Sequence, residues 1–516
     1  MADNVDPADK VEVPLDEYNE YMDVLDLPLA LLGGTRAMRD AAERFLPKED
    51  AETTSAYKAR LKRSFLLGAY KRTVQKLVGE VFSRSITLSD DTPNDIKEWC
   101  ETDIDLEGRD ITRFGQDVFY YALAEGVSGV LVDYPEVRIR VTDNGAKQYL
   151  EDYSDLPPNV VKPPPVWLPY TKAVDKKKGW RPYWTLVRSK DVIGWRTRKV
   201  NGRSVLVQLR ILETGKEEVG RFGSRTVERI RVLEPGRFAL YRKIINDDGE
   251  VEWILEKEGE TSLDFIPFHV FMTGEKMSEM TATPPLMGLA DLNLAHWQSS
   301  SDQRNILHYA RLITYFGKML GVEEDEDIVI GYNQLIKSES PDGDLKVVEH
   351  SGKGVDAGRQ DLKDLENQMA MFGLTYMMPK SGTVVATERA ISKSENDSAL
   401  RGWALSFQDF LNSCLKTTAK YISDDEEPQA GSVTVNTDFA SWLKDMDSKV
   451  LVDAYDAGAL PRQILFEEFV RRGIVSDEFD FNDYLAMLQQ DKREGVGGAG
   501  AIAAGFVGAG EEEFVK

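Results

Sequence analysis

Few residues of this chain are spaced for chemistry. Four histidines, His269, His296, His308 and His350, are scattered along it. Only His296 and His308 fall on one expected helix, about 18 Å apart along its axis, too far to share a metal. There is no Gly-x-x-x-x-Gly-Lys-Ser/Thr phosphate loop and no His-Glu-x-x-His. "GVGGAG" at 495–500 has the letters of a dinucleotide loop. A charged helical pattern precedes it and a Gly/Ala tail follows, where a strand and a helix would be needed. The acidic run Glu323, Glu324, Asp325, Glu326 and Asp327 would attract Mg²⁺ or Ca²⁺. It lacks the spaced ligands and turn glycine of a calcium loop, so a solvated or partner-docking face is the plainer reading. No Ser/His/Asp or Cys/His set can be placed. The pattern points away from an enzyme, with no metal or cofactor, and toward a structural or conduit protein.

The bulk properties fit such a role. The chain has 516 residues, enough for roughly two to four domains. Hydrophobic residues make up 42% and charged ones 29%, ordinary for a globular protein, but the net charge is −24. That charge repels a phosphate backbone, which argues against a nucleic-acid coat. It remains compatible with DNA sliding past without sticking. Two distant cysteines, Cys100 and Cys414, make no disulfide framework and fit a reducing compartment. The acidic N-terminus has no apolar core, so no signal peptide is expected. No apolar run reaches the roughly eighteen residues of a membrane span.

An α+β chain is expected. Residues 16–82 read as helical. "YKARLKRSFLLGAYKRTVQKLVGEVF" has apolar residues at three- and four-residue steps, with Arg60, Lys62, Arg63, Lys71, Arg72 and Lys76 mostly opposite. That basic face is either solvated or a nucleic-acid patch, the former being the plainer reading. A helix over 107–124 ends at Gly126, and "VSGVLVDYP" follows as a buried strand. "LPPNVVKPPPVWLPY" is an extended connector. From 181 to 274 the pattern is β. Asn201-Gly202 and Pro235-Gly236 mark hairpins, and "EVEWILEK" and "FIPFHVFM" add strands to an antiparallel meander. A helical segment spans 286–316, with short strands and turns over 321–350. A helix over 355–376 carries a seam at Leu362, Leu365, Met369 and Phe372. The segment 377–392 is a long loop of the kind that is usually functional or disordered. A long helix covers 394–422, a short strand 431–436, and further helices 438–456, 461–472 and 480–492.

One stretch resists a local reading. In "NLAHWQSSSDQRNILHYARL", eight polar residues run from Gln298 to Asn305. Serines disfavour helix, yet no Gly or Pro breaks the segment. A single helix whose polar middle faces neighbours and water is expected.

The order of these elements resembles portal proteins of tailed bacteriophages. The likeness is carried by "ERFLPKED" with the basic helical segment after it, by "GVSGVLVDYP", "RPYWTLVRSKDVIGWR" and "IPFHVF", and by "PPLMGLADLNLAHWQSSSDQRNILHYAR". "DLKDLENQMAMFGL" with "ATERAISKSE" completes it. It extends over about 16–490 and rests on the ordered set rather than on one motif.

The resemblance implies a homo-oligomeric ring, usually dodecameric, at one capsid vertex of the virion, assembled in the host cytoplasm. It implies a flexible N-terminus over 1–15, a wing over 16–285, and stem helices over 286–311 and 355–376 flanking a clip over 312–354. It further implies a tunnel loop over 377–392, the wing's long helix and strand over 393–436, a crown over 437–492 and a flexible tail over 493–516. Double-stranded viral DNA would pass through the channel during packaging and ejection without sequence readout. Terminase, a head-to-tail adaptor and the major capsid protein would be partners, and no membrane. Lys380, Thr383, Thr387, Arg389 and Lys393 are the tunnel-loop candidates for DNA contact, and Glu323 to Asp327 the clip candidates for docking. The competing readings are another DNA-packaging protein, such as a terminase subunit or nuclease, and a capsid or scaffolding shell protein.

Overall fold

The computed structural model describes residues 10–310 except 136, 143–145, 152–163 and 247, then 314–318, 342, 344–348, 353–375 and 399–437 except 424 and 426. It also describes 439, 462–471, 475, 481, 485 and 487. The expected tunnel loop, the acidic run 323–327 and nearly all of the helices expected over 438–456 and 480–492 lie outside these residues. The chain forms two units, 1–437 and 438–516.

The first unit opens with three helices, α1 (Asp16–Ala41), α2 (Thr54–Arg63) and α3 (Ala69–Val81). The expected helical stretch is thus real but divided, with α1 itself interrupted at Gly34 (φ 75°). Strand β1 (Thr87–Leu88), helix α4 (Asn94–Thr102), helix α5 (Ile111–Glu125) and strand β2 (Val127–Asp133) follow. The α5 boundaries are written locally. The Asp110 carboxylate accepts from the Arg113 amide at 2.8 Å, satisfying an otherwise orphaned donor of the first turn. Gly126 ends the helix at φ 85°, where a Cβ would meet the Ala282 carbonyl oxygen at 2.3 Å.

A small antiparallel sheet, β3 (Ile139–Val141), β4 (Lys147–Glu151) and β5 (Val166–Pro169), is followed by α6 (Lys172–Lys178) and β6 (Tyr183–Arg188). The meander then runs β7 (Val192–Val200), β8 (Arg203–Val219), β9 (Gly223–Glu234), β10 (Arg237–Ile245) and β11 (Val251–Glu260). Its order is β11-β10-β9-β8-β7, each neighbour antiparallel. Asn201 (φ 50°) and Gly202 (φ 79°) form the first hairpin turn, both left-handed as a tight two-residue turn requires.

One expectation fails here. "FIPFHVFM" does not extend the meander. Its strand β12 (Phe268–Met272) pairs antiparallel with β2, which pairs with β6 on its other edge. The reason is burial. β2 is almost wholly buried, so the backbone donors and acceptors along both of its edges must be hydrogen-bonded within the protein, which β12 and β6 supply. Residues 11–15, expected to be flexible, are held: the Leu15 amide donates to the Ile193 carbonyl at 3.1 Å, and Arg210 donates to the carbonyls of Val11 and Val13 at 2.8 Å each.

After the short pair β13 (Glu275–Lys276) and β14 (Ala282–Thr283) comes α7 (Met287–Ala310), unbroken through Ser300. β15 (Thr314–Lys318) pairs antiparallel with β16 (Asp344–Val348), α8 (Lys353–Thr375) follows, then α9 (Ala399–Ile422). β17 (Val433–Thr434) returns to β1. The core between α5, β12 and α9 is aromatic. Phe407 lies 4.9 Å from Phe271 and 5.3 Å from Phe119, ring centre to ring centre. In the second unit, α10 (Arg462–Arg471) buries Leu465, Phe466 and Phe469, and Phe466 meets Phe481 at 5.4 Å.

Candidate functional site

The described region closest to the expected site is the pair α7–α8 with the β15–β16 ladder between them. The helices run antiparallel. Phe372 packs so tightly on Gly288 that a Cβ there would sit 3.0 Å from its ring. Further along, His296 Nε2 lies 3.4 Å from the Glu366 carboxylate, and Gln303 donates to the Val355 carbonyl at 2.8 Å. The expected seam is the contact face: Met369 is buried and Leu362, Leu365 and Phe372 are half-buried. The flank of α8 carrying Asp356, Arg359, Asp361, Lys363, Asp364 and Glu366 is exposed.

The polar middle of α7 behaves differently from expectation. It does not simply face neighbours and water. Ser300, Ser301 and Gln303 are buried, Gln298, Ser299 and Asn305 are half-buried, and only Asp302 and Arg304 are exposed. The groups that cover them come from the basic segment around α2. Ser64 Oγ donates to Ser301 Oγ at 2.8 Å, Arg63 to Asn305 Oδ1 at 2.9 Å, and Arg60 lies 3.4 Å from the Asp302 carboxylate. Gln298 donates to the Phe45 carbonyl at 3.1 Å, and the Arg304 guanidinium sits 5.7 Å from the Phe65 ring centre. One turn earlier, Asn293 accepts from the Tyr70 amide at 3.0 Å and donates to the Leu67 carbonyl at 2.8 Å. A buried polar group must find such partners or pay its desolvation in full. Here most do, but Arg63 Nε, His296 Nδ1 and Trp297 Nε1 are buried without one among the described residues.

Two residues of the basic face, Arg60 and Arg63, are thereby engaged inside the fold, whereas Lys62, Lys71, Arg72 and Lys76 are exposed. Arg60 is only 4% exposed. It holds Glu52 through two hydrogen bonds, 3.0 and 2.9 Å, and donates to the Pro47 carbonyl at 2.7 Å. Hydrogen bonding to that guanidinium holds the Glu52 carboxyl below its ordinary range. This pairing decides against both earlier alternatives for Arg60, which is neither solvated nor free for phosphates; Arg63 is half-buried and engaged with Asn305.

Other titratable groups are also absorbed structurally. Glu125, fully buried, accepts from Arg188 and from Ser189 Oγ at 2.8 Å; burial pushes its carboxyl up, opposed by the Arg188 charge. His269 has its Nε2 2.8 Å from Thr417 Oγ1, and burial lowers it to about 4, so the ring is neutral at pH 7. Cys100 and Cys414 are free and buried, and burial raises both thiols, Cys100 to about 12, which leaves them unreactive. Among the described residues no cluster of His, Cys, Asp or Glu is arranged to hold a metal, and no helix is long and apolar enough to cross a membrane.

The candidate residues Lys380, Thr383, Thr387, Arg389, Lys393 and Glu323 to Asp327 lie outside the described residues, so the structure brings none of them together. The residues that reading the sequence missed are Asn293, Ser64 and Glu52, and it placed Arg60 on an outward face although it is buried. A signal existed for the first. Asn293, Trp297, Ser300 and Ser301 follow one another at helix-face spacing, on the stripe that also carries Leu286, Leu289 and Ala290.

With this geometry in hand, comparison with known proteins gives three results. A family model described as a domain of unknown function, DUF4055, matches residues 285–422, the segment from α7 through α9. No curated protein matches. Among solved structures, the chain is similar to a chain in the neck of an empty GTA particle computed with C6 symmetry, at 9% identity and a TM-score of 0.36, covering 78% of this chain and 89% of that one. It is also similar to a chain in the neck of the native GTA particle computed with C12 symmetry, at 11% identity and a TM-score of 0.35, with the same coverage. A third is a chain of the virion of the native gene transfer agent particle, at 11% identity and a TM-score of 0.36, covering 84% of this chain and 98% of that one.

Proposed function

We propose that the chain is a portal-type subunit. Copies form a ring at a capsid vertex, viral DNA passes through its channel, and the face formed around β15 and β16 docks the packaging motor and later the adaptor. It has no catalysis of its own. The observation that carries the reading is the helix α7, continuous through its polar belt and antiparallel to α8, with a strand ladder at the turn between them. A paired-helix stalk ending in a small β insertion is what a stem and clip require.

Two further features support it. The exposed flank of α8 mixes four acids with two bases, a surface that would border a channel without gripping phosphates. The polar belt clamps α7 to α2 and α3 within one subunit, so the stalk enters an assembly preformed.

Negative-stain microscopy of the purified chain tests the reading. A washer-like ring of roughly twelve subunits is expected, and a persistently monomeric protein with nuclease or ATPase activity would overturn it. In the virion, Lys380→Ala with Arg389→Ala should leave rings intact and alter packaged DNA length or retention. Normal genome length and yield in that double variant would remove the tunnel-loop role.

A further inference from the structure

The five-stranded sheet has two edges of opposite charge. β7, at one edge, reads VIGWRTRKV, with Arg196, Arg198 and Lys199 and no acid. β11, at the other edge, reads VEWILEKEGE, with four glutamates against one lysine. Residues 192–195 of β7 are buried, and the Leu15 amide donates to Ile193 there. Residues 196–200 are exposed, so the uncovered half of β7 is the cationic half. None of Arg196, Arg198, Lys199, Glu252, Glu258 and Glu260 has an ion-pair partner among the described residues. Elsewhere charges of the sheet are matched: Arg229 and Arg242 of the inner strands pair with Glu217 and with Glu256, the one glutamate of β11 that is engaged among the described residues, at 2.5 to 3.4 Å.

The register puts the two edges in line. Arg196 stands opposite Gln208, Gln208 donates to Glu234 at 2.8 Å, Glu234 stands opposite and ion-pairs with Arg237, and Arg237 stands opposite Glu260. This row crosses the whole sheet, starts on a free cation and ends on a free anion. A further Arg196 placed beside Glu260 would continue its alternation. Each edge also carries apolar surface, Val200 and Val205 on the basic side and Val251, Ile254 and Leu255 on the acidic side.

We propose that copies of this chain dock head to tail through these edges, the uncovered half of β7 in one copy against β11 of the next. Open edges are a liability, and charge is the usual device for keeping them apart. Like charge on both edges would serve that purpose. Opposite charge does not: it repels β7 from β7 and β11 from β11 while attracting β7 to β11. That selects a heterologous contact, which builds rings, over a two-fold contact, which builds dimers. The proposal deepens the ring reading and rests on it.

The test uses the full-length protein and mass photometry across a dilution and salt series. One variant reverses the basic edge, Arg196→Glu, Arg198→Glu and Lys199→Glu. A second reverses the acidic edge, Glu252→Lys, Glu258→Lys and Glu260→Lys. Each alone should need at least about tenfold more protein to assemble, because like charges then meet at every interface. Mixed one to one, the two variants should assemble again, since edges of opposite sign meet once more. Misfolding could not produce that recovery. If both variants assemble as the unaltered chain does, with the same salt dependence, the edge contact is wrong and the ring reading stands. If the unaltered chain stays monomeric at every concentration, the ring reading itself fails. If basic-edge reversal spares assembly but weakens retention of duplex DNA, that edge serves nucleic acid and the proposal is overturned.

Discussion

Two polar regions of this molecule use charge in opposite ways. Around α7, Arg60, Arg63, Asp302 and Asn305 are matched within the chain, and much of the belt is removed from water. At the edges of the five-stranded sheet, Arg196, Arg198, Glu258 and Glu260 are exposed and, among the described residues, unmatched. Both regions look alike as sequence, short runs of charged and polar residues in an acidic chain. The difference teaches that a charge with an internal partner is fastening the fold, and a charge without one is available for another molecule.

The contrast can be broken by substitution. Arg60→Met should have the largest effect on stability. It leaves the Glu52 carboxylate and the Pro47 carbonyl without their donor, and removing one partner of a buried ion pair costs about 3–5 kcal/mol. Urea unfolding measures it; a loss under about 1 kcal/mol, the range of surface pairs, would mean that Arg60 is not the clamp described. Asn293→Ala should come next, at about 2 kcal/mol, because the Tyr70 amide and Leu67 carbonyl each lose a hydrogen bond. A neutral result there would show that α7 is held by its apolar contacts alone. The smallest effect belongs to the sheet edge. Arg196→Ala with Arg198→Ala should change the unfolding free energy by no more than about 0.5 kcal/mol, as for surface positions without partners. A loss comparable to that of Asn293→Ala would erase the distinction between the two regions.

Much of the fold was legible because it is decided over a few residues. The turn at Asn201-Gly202, the stop at Gly126 and the α8 seam from Leu362 to Phe372 all appear where local patterns put them, while α5 starts at Ile111 rather than at 107 because Asp110 caps it. The misses have physical causes. β12 carries an ordinary strand pattern, which says that it is a strand but not which strand it joins. Helix α4, over Asn94–Thr102, has a single buried turn marked by Ile96 and Cys100, too short a period to stand out. The candidate site was less legible than the fold, since its loop and clip residues were assigned from a family resemblance rather than from their own spacing.

By itself the sequence determined the class of the longer elements, the continuity of α7, the absence of common catalytic motifs and the strong net acidity. All of these follow from backbone preferences, side-chain periodicity and composition. Tertiary structure alone decided which polar groups are spent and which are free. Arg63 and Asn305 meet across 242 residues of chain, and no local pattern encodes that pairing. Strand order likewise decided that β7 and β11 are edges, and so that their opposite charges face outward. Burial and edge position are properties of neighbours in space, and those neighbours exist only once the chain has closed on itself.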